Sequence, residues 1–509
     1  MYNHAKTKSK QRRYSAVEKR PLNIPISKTL TSILSLLKSN GMSGLIVGGA
    51  VRDAVQGIKP KDIDVEVYGA SYQQLVELLG HYGKLDLVGK SFGVIKFADS
   101  EGNDYDFSIP RRDNKTGIGH KDFTSTFDPT INPQEAAARR DFTINSLAYD
   151  PLTSDLHDYY NGREDLENGV LRATSPAFAE DPLRVLRGMQ FISRFGMSID
   201  PATAEMAKSI AHEYPTIPKE RIAEEWMKFA MKSKYPSKVF DYLQKTGWIQ
   251  HYPELAEMMG KTQNPAWYED GNIEGKVGVP QDSQYHPEGN VHTHTGHVMN
   301  AGVNIADREG LTGDDRAVLG FATLLHDVAK PYTTAREVKN GEMHITSKGH
   351  EPAGGTYARK FLESIGIKPS IIAKVVPLIE NHLAHMNFAN PEASHKTIRK
   401  LAQRLFPANV KELTHVIEAD HSGRPPLPQG LPTQAQRMYD LAIQNNVDQK
   451  PQEKLIQGRD LIQRGFNPGP QIGHYVNTAY EAQNSAEFST KPEADQWLDN
   501  HLSQEKNTE

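Results

Sequence analysis

The residue pattern changes character near Ala137, and that change limits the architecture more than any other feature of this 509-residue chain. Ahead of it, short strand-like and helix-like runs alternate. Ile26, Leu30, Ile33, Leu34 and Leu37 recur at helical spacing, and GLIVGG reads as a buried strand entering a glycine turn at Gly48 and Gly49. AVRDAVQG reads as a helix closed by Gly57, and KDIDVEVYG, alternating around Ile63, Val65 and Val67, predicts a second strand. SYQQLVELLGHYG continues as helix, FGVIKF and DYDFSIP as strands. Beyond Ala137 the apolar repeats are helical almost without relief, through 183–195, 220–232, 314–329, 370–380 and 434–444. The expected fold class is α+β, a mixed sheet with helices at the front and an all-α remainder.

A chain of this length exceeds a single core, so three or four modules of roughly 100 to 200 residues are expected. The composition places a basic, disordered tail at 1–20, a mixed front module at 21–160 and a helical segment at 161–262. A linker or long loop rich in Gly, Pro, Asn and Gln follows at 263–288, then a helical module at 289–425. A break at RPPLPQGLP precedes a helical C-terminal segment, 426–509. The tail carries seven basic side chains against one acid, the pattern of an arm that touches phosphate or simply keeps the terminus solvated. The formal charge of the whole chain is −4, so no global basic field announces a nucleic-acid partner and any such partner must be met locally. The absence of cysteine excludes a disulfide scaffold, thiolate zinc ligation and a cysteine nucleophile. No apolar run approaches the ~18 residues of a membrane span, and the N-terminus lacks the apolar core of a signal peptide; a cytoplasmic setting with no membrane partner is expected.

Asp62 and Asp64 stand two apart on the second predicted strand, so both carboxylates share a face with Ile63 and Val65 turned to the other. Like charges this close repel unless a cation lies between them, and hard oxygen ligands suit Mg²⁺ together with substrate phosphates. Gly48 and Gly49 precede a helix whose first amides are suited to phosphate. Together these features suggest nucleotidyl transfer with two metals. Further along, the Arg139-Arg140-Asp141 cluster offers guanidinium forks for phosphate beside a carboxylate that can accept from a ribose hydroxyl. Glu180-Asp181-Pro182-Leu183-Arg184 opens a helix on which Asp181 and Arg184 share a face, Val185, Met189 and Ile192 form the packing stripe, and Arg187 and Arg194 extend the polar side.

In order and at fitting spacing, GGAVRD, KDIDVEVYG, a strand ending at Asp106, RRDFTINSLAYD, DYYNG, EDPLRVLRGMQFISRFG and KERIAEE resemble the class II tRNA nucleotidyltransferases of the polymerase-β superfamily, the CCA-adding enzymes and bacterial poly(A) polymerases. The resemblance covers roughly residues 25–250. It implies a polymerase-β-like head followed by a helical neck and body, with tRNA, CTP and ATP as partners. It also implies that Asp62 and Asp64 ligate the catalytic Mg²⁺ pair and that Asp106, where the family often has Glu, is the third carboxylate near the attacking hydroxyl. Gly48, Gly49, Arg52, Arg139, Arg140, Asp141 and Asn145 match nucleotide-binding positions, and Asp181, Arg184 and Arg187 match the helix that serves as a template made of protein. A carboxylate accepts from the exocyclic amine of C or A, and a guanidinium donates to the neighbouring ring acceptor; U and G present a carbonyl instead, so CTP and ATP are selected. Asp158 and Gly162 in DYYNG match a hinge-like family segment.

Of the 20 histidines, 12 fall between His286 and His421. LLHDVAK sets His326 and Asp327 side by side at the end of an apolar helix, a poor place for solvated polar groups and a good one for metal ligands. With VHTHTGH, KGHEPAGG, ENHLAH and IEADHSGR, the stretch resembles the HD phosphohydrolase superfamily in the form fused to bacterial CCA-adding enzymes. The resemblance implies His294, His326, Asp327 and Asp420 as the ligand set and His350 and His382 as supplementary metal or phosphate positions. Imidazole and carboxylate without thiolate favour Mn²⁺, Ni²⁺, Mg²⁺ or Fe²⁺, acting on a 2',3'-cyclic phosphate or a phosphomonoester. GRDLIQRGFNPGPQIGHYVNTAYEAQ resembles the C-terminal segment of the same proteins, a structural part that can contact tRNA or a second subunit of a homo-oligomer. Two other readings stay open: an A-adding, CC-adding or poly(A)-synthesising enzyme of the same family, which VGKSFGVIKF fits less well, and an RNA-binding regulator with inactive sites, against which the intact Asp62, Asp64, Asp181, Arg184, His326 and Asp327 count.

Overall fold

A computed structural model of the full chain describes residues 16–87, 93–115, 123–260, 278–390 and 394–506. It divides into two compact units, one of residues 1–225 and 241–251 and the other of 226–240 and 252–509.

The first unit is built on an eight-stranded mixed sheet. Its strands are β1 (Val17–Lys19), β2 (Ser43–Val47), β3 (Asp64–Tyr68), β4 (Gly83–Asp86), β5 (Val94–Asp99), β6 (Asp104–Ser108), β9 (Ala148–Asp150) and β10 (Asp155–His157), while β7 (Arg111–Lys115) and β8 (Phe123–Phe127) pair apart from it. The order across the sheet is β1-β10-β9-β2-β3-β6-β5-β4. Only β3 and β6 run parallel within it. The helix Lys28–Ser39 forms because Ser27 caps it, accepting from the Leu30 N–H, and because Leu30, Ile33, Leu34 and Leu37 make one apolar stripe, which is buried.

Three expectations need correction. The chain is not helical throughout beyond Ala137: β9 pairs with β2 and β10 with β9, extending the front sheet. Each has three residues, too few to display an alternation, and long-range pairing decides their state. Residues 1–15 of the basic tail lie outside the described residues, but Val17–Lys19 is ordered as the edge strand, with Lys19 Nζ 3.0 Å from Asp155 and Glu18 paired to the buried Arg163. Of the segment expected to be a linker, residues 263–277 lie outside the described ones, whereas 278–288 pack at the head of the second unit, with Gln281 accepting from Lys330 Nζ at 2.7 Å and Asp282 paired to His344 at 3.0 Å. The first part of VGKSFGVIKF, residues 88–92, also falls outside.

The helical repeats appear where the periodicity puts them, as Leu183–Phe195, Lys219–Lys232, Gly313–Leu325, Pro369–Glu380 and Thr433–Gln444. In the second unit the helices Val291–Arg308, Gly313–Leu325, His350–Ser364, Pro369–Glu380 and Val410–Ser422 pack around buried aliphatics such as Val298, Leu324, Ile379 and Val416. Near the C-terminus, GFNPGP separates the helix Gly458–Ile462 from Pro470–Asn484, and Leu461, Ala479, Phe488 and Leu498 form a small separate core. Among the described residues no helix is long and apolar enough to cross a membrane.

Gly188 lets the helix Leu183–Phe195 approach Tyr242, whose hydroxyl donates to the Val185 carbonyl at 2.6 Å. A Cβ at Gly188 would lie 2.3 Å from that hydroxyl oxygen and 3.0 Å from the Phe142 ring. Gly188→Ala should therefore destabilise the first unit by about 1 to 3 kcal/mol despite the better helix propensity of alanine, and the double variant with Tyr242→Phe should recover part of the loss. Calorimetric midpoints of the wild type, the single variants and the double variant check this.

Candidate functional site

Two clusters of titratable side chains stand out, one in each unit. In the first, β3 lies parallel to β6 with Asp64 opposite Asp106. Asp62 precedes the strand, which starts at Asp64 rather than spanning both, yet the expected alternation holds: Asp62 and Asp64 are exposed, Ile63 and Val65 buried. Asp106 sits mid-strand, not at the strand's end, with Lys96 Nζ 3.7 Å from its Oδ1. Partial desolvation raises the Asp64 pKa, Arg140 pulls it down, and the charges of Asp106, Asp62 and Glu66 raise it again, with a net rise. Three hard oxygen donors brought together at such a cost fit a divalent cation of the Mg²⁺ kind.

Gly48 adjoins this cluster with φ of 70°, and a Cβ there would come 3.2 Å from Arg140 Nη1 and 4.0 Å from Asp64 Oδ2. Glycine thus keeps open the space between a guanidinium and a carboxylate. Arg140 is held in place by Glu66, whose Oε2 accepts from Nη2 at 2.9 Å while Oε1 accepts from the Tyr68 hydroxyl at 2.8 Å. The helix that follows Gly48 has only seven residues, Gly49–Val55.

The residues expected to bind nucleotide gather behind that turn, several of them already engaged. Arg52 is 4% exposed, donates to Asn145 Oδ1 at 2.7 Å and to Asp53, and lies over the rings of Phe191 and Phe195. Asn145 Nδ2 donates to Asp141 Oδ1 at 3.0 Å, and Arg187 Nε donates to Asp141 Oδ2 at 2.7 Å. Burial alone would raise the Asp141 pKa, but Arg187 and the donors from Asn145 and the Phe142 N–H hold it below the usual carboxylate range. Asp141, expected beside a ribose, is thus buried and accepts three hydrogen bonds from the protein. Asp181 lies ahead of the helix and its Oδ1 accepts from the Leu183 N–H. Arg184 does not stand free on the helix face: its guanidinium donates to the Ala177 and Arg139 carbonyls at 2.6 and 2.7 Å. Arg139 pairs with Glu180 at 3.1 Å.

The second cluster gathers all six residues that the HD resemblance implies. The Nδ1 atoms of His326, His350 and His382 face the carbonyls of Thr323, Ser347 and Ile379, each three residues back along the chain. With Nδ1–H donated, Nε2 is the free atom on each ring. Asp327 divides these rings: Oδ2 lies 3.2 Å from His326 Nε2 and 3.7 Å from His294 Nε2, while Oδ1 lies 3.4 Å from His350 Nε2 and 3.9 Å from His382 Nε2. Asp420 Oδ1 is 3.0 Å from His294 Nε2. His294 and His326 are fully buried and Asp327 nearly so. The neighbouring histidines and Lys330 hold the Asp327 carboxyl well below the carboxylate range against the upward push of burial. Lys330 Nζ is 2.8 Å from Asp327 Oδ2 but too far out of line to hydrogen-bond, so this oxygen is buried without a hydrogen bond. Imidazole and carboxylate donors converging on such an atom fit a divalent ion.

Sequence reasoning missed Glu66, Lys330, His286 and Glu288. Glu66 follows Asp64 by the same step of two that singled out the aspartates, and Lys330 lies one helical turn past Asp327. His286 and Glu288 fell in the stretch taken for a linker, where composition conceals them.

Both clusters fall within stretches that match known protein families. Residues 45–172 match the poly A polymerase head domain, 196–259 the probable RNA and SrmB-binding site of polymerase A, and 291–420 the HD domain. That order defines a nucleotidyltransferase with a fused HD domain. The chain is 32% identical over 434 residues to the multifunctional CCA protein of Pasteurella multocida (strain Pm70), covering 83% of this chain and 91% of that one. It is 31% identical to the multifunctional CCA protein of Xanthomonas campestris pv. campestris (strain B100), covering 85% and 96%. The chain belongs to the multifunctional CCA protein family. Its fold resembles that of the Bacillus stearothermophilus CCA-adding enzyme in complex with CTP (TM-score 0.57, 17% identity, 95% of this chain and 100% of that one). It also resembles the Thermotoga maritima CCA-adding enzyme complexed with tRNA (TM-score 0.51, 17% identity, 94% and 96%).

If the front carboxylates form a cation site, Asp64→Asn relieves repulsion in the metal-free protein and removes a ligand at once. Thermal melts should show a higher midpoint for Asp64→Asn in chelator, and a Mg²⁺-induced rise in the wild type that the variant lacks. An identical Mg²⁺ response in both would place the cation elsewhere.

Proposed function

We propose that the front centre adds C, C and A in turn to the 3' end of tRNA from CTP and ATP without a nucleic-acid template, and that the HD centre hydrolyses phosphate esters at RNA 3' ends. The meeting of Asp64 and Asp106 on neighbouring parallel strands, with Asp62 just ahead of the first, beside Gly48 and Arg140 carries the first part. The 3'-hydroxyl oxygen of the RNA attacks the α-phosphorus, the bond to the bridging β-phosphate oxygen breaks, and pyrophosphate leaves. Asp62 and Asp64 would hold Mg²⁺, Asp106 lies near the attacking hydroxyl to receive its proton, and Arg140, braced by Glu66, faces the triphosphate. A tRNA substrate sets this work in the cytoplasm.

Base choice falls to Asp181 and Arg184. A base acceptor takes over one of the Arg184 donors that the Ala177 and Arg139 carbonyls now satisfy, and Asp181 accepts from the exocyclic amine. At the HD centre, His294, His326, Asp327 and Asp420 would hold one divalent ion, Mn²⁺ or Ni²⁺ by donor type, and the second oxygen of Asp327 with His350 and His382 fits another. Bound ions supply positive charge to phosphoryl oxygens at both centres. Lys330 adds a buried ammonium for the same oxygens.

The test is incubation of the purified protein with tRNA lacking its 3' end and one labelled nucleotide at a time. Asp62→Ala should abolish addition of both C and A while divalent-dependent opening of 2',3'-cyclic phosphates persists, because the centres belong to separate units. Transfer above trace levels in Asp62→Ala would defeat the front assignment.

Asp181→Ala should admit UTP and GTP as well as slowing CTP and ATP. A site built to bond an amine rejects a carbonyl by roughly 1 to 3 kcal/mol, so discrimination should fall about 5- to 150-fold in competition assays. A uniform slowing of all four nucleotides would speak against base reading.

A further inference from the structure

Three of the four histidines at the HD centre are aimed by the backbone carbonyl three residues back, and His294 is not. It lies in the first turn of the helix Val291–Arg308, and its Nδ1 faces out of that turn, 2.7 Å from Glu288 Oε1 and 3.1 Å from the Gly423 carbonyl. Both neighbours are acceptors, so the Nδ1 hydrogen is fixed between them and Nε2 is left toward Asp420, His326 and Asp327. Glu288 is itself fixed: its side chain is 1% exposed and the same Oε1 also faces His286 Nδ1 at 2.9 Å.

We infer that Glu288 is a positioning residue of the HD centre, an outer carboxylate that orients His294 and increases the basicity of its Nε2, with His286 bracing it from behind. A carboxylate behind a ligating imidazole commonly contributes 10- to 100-fold to metal affinity. His286, Glu288 and His294 also lie close enough together to suggest a cation site of their own. His294 argues against that, because its Nδ1 already faces Gly423 and Glu288 while its Nε2 faces the centre. The inference rests on the proposed metal reading of that centre.

The experiment is titration of chelator-stripped full-length protein with Co²⁺, whose visible absorption bands report imidazole ligation, in the wild type, Glu288→Ala, Glu288→Gln and His326→Ala. Glu288→Ala should weaken the imidazole-dependent Co²⁺ signal about 10- to 100-fold in affinity with its stoichiometry unchanged. Glu288→Gln, whose amide oxygen still accepts from Nδ1–H, should recover most of the affinity. Because both variants are compared as metal-free proteins by thermal midpoint, a loss of fold is visible separately from a loss of binding. Unchanged affinity in Glu288→Ala overturns the positioning role, and so does a loss of one equivalent of Co²⁺, which would make Glu288 a ligand of a separate ion. Equal loss in Glu288→Ala and Glu288→Gln overturns it as well. His326→Ala that still binds with wild-type affinity would instead remove the metal reading on which it rests.

Discussion

The hydrogen-bonded chain Arg52–Asn145–Asp141–Arg187 is the constraint on which the front half depends. It begins one turn after the glycine pair that borders the carboxylates and ends on the helix that starts beside Asp181. Every member is charged or amide-bearing, and Arg52, Asp141 and Asn145 are almost wholly buried, so each must find its partner or leave an expensive polar group in the core. The rings of Phe191 and Phe195, one helical turn apart, supply a face for the Arg52 guanidinium that no water can reach as well. The distance between the glycine turn and the helix Leu183–Phe195 is therefore set by buried, directional contacts rather than by loop length.

The HD centre solves a different problem. Its donors come from five helices or the turns at their ends, and rotation of any imidazole would exchange one nitrogen for the other. Backbone carbonyls three residues back remove that freedom for three rings at no cost in additional residues. Asp327, shared between two pairs of rings, makes the arrangement compact, and it needs opposite charge close by to remain an anion at such depth.

How much of this was legible in the sequence depends on the length scale of the signal. The helix Leu183–Phe195 announced itself because 13 residues display a period, and Asp62 and Asp64 because two steps along a strand suffice to define a face. The six HD residues were assembled from motif resemblance rather than from periodicity, and the structure brings them together. Other features were not accessible. β9 and β10 are three residues each and exist through their partners, so no local pattern marks them. Arg184 has the right position for a polar helix face, yet its long side chain reaches two carbonyls that only tertiary structure brings near. Glu288 lies in a stretch whose glycines, prolines and amides suggested a tether, and nothing local shows that it meets the Nδ1 of His294 beside the carbonyl of the distant Gly423.

The placement of β1 has a consequence for how the protein is made. Its partner β10 is translated about 140 residues later, after every other strand of the sheet. While the ribosome is still working through this interval, the first strand has nothing to pair with and Glu18 lacks its buried partner, since Arg163 lies beyond β10. Sheet closure at this edge is therefore a late event of synthesis, and the emerging chain carries an open strand edge through most of the time in which a chaperone can find it.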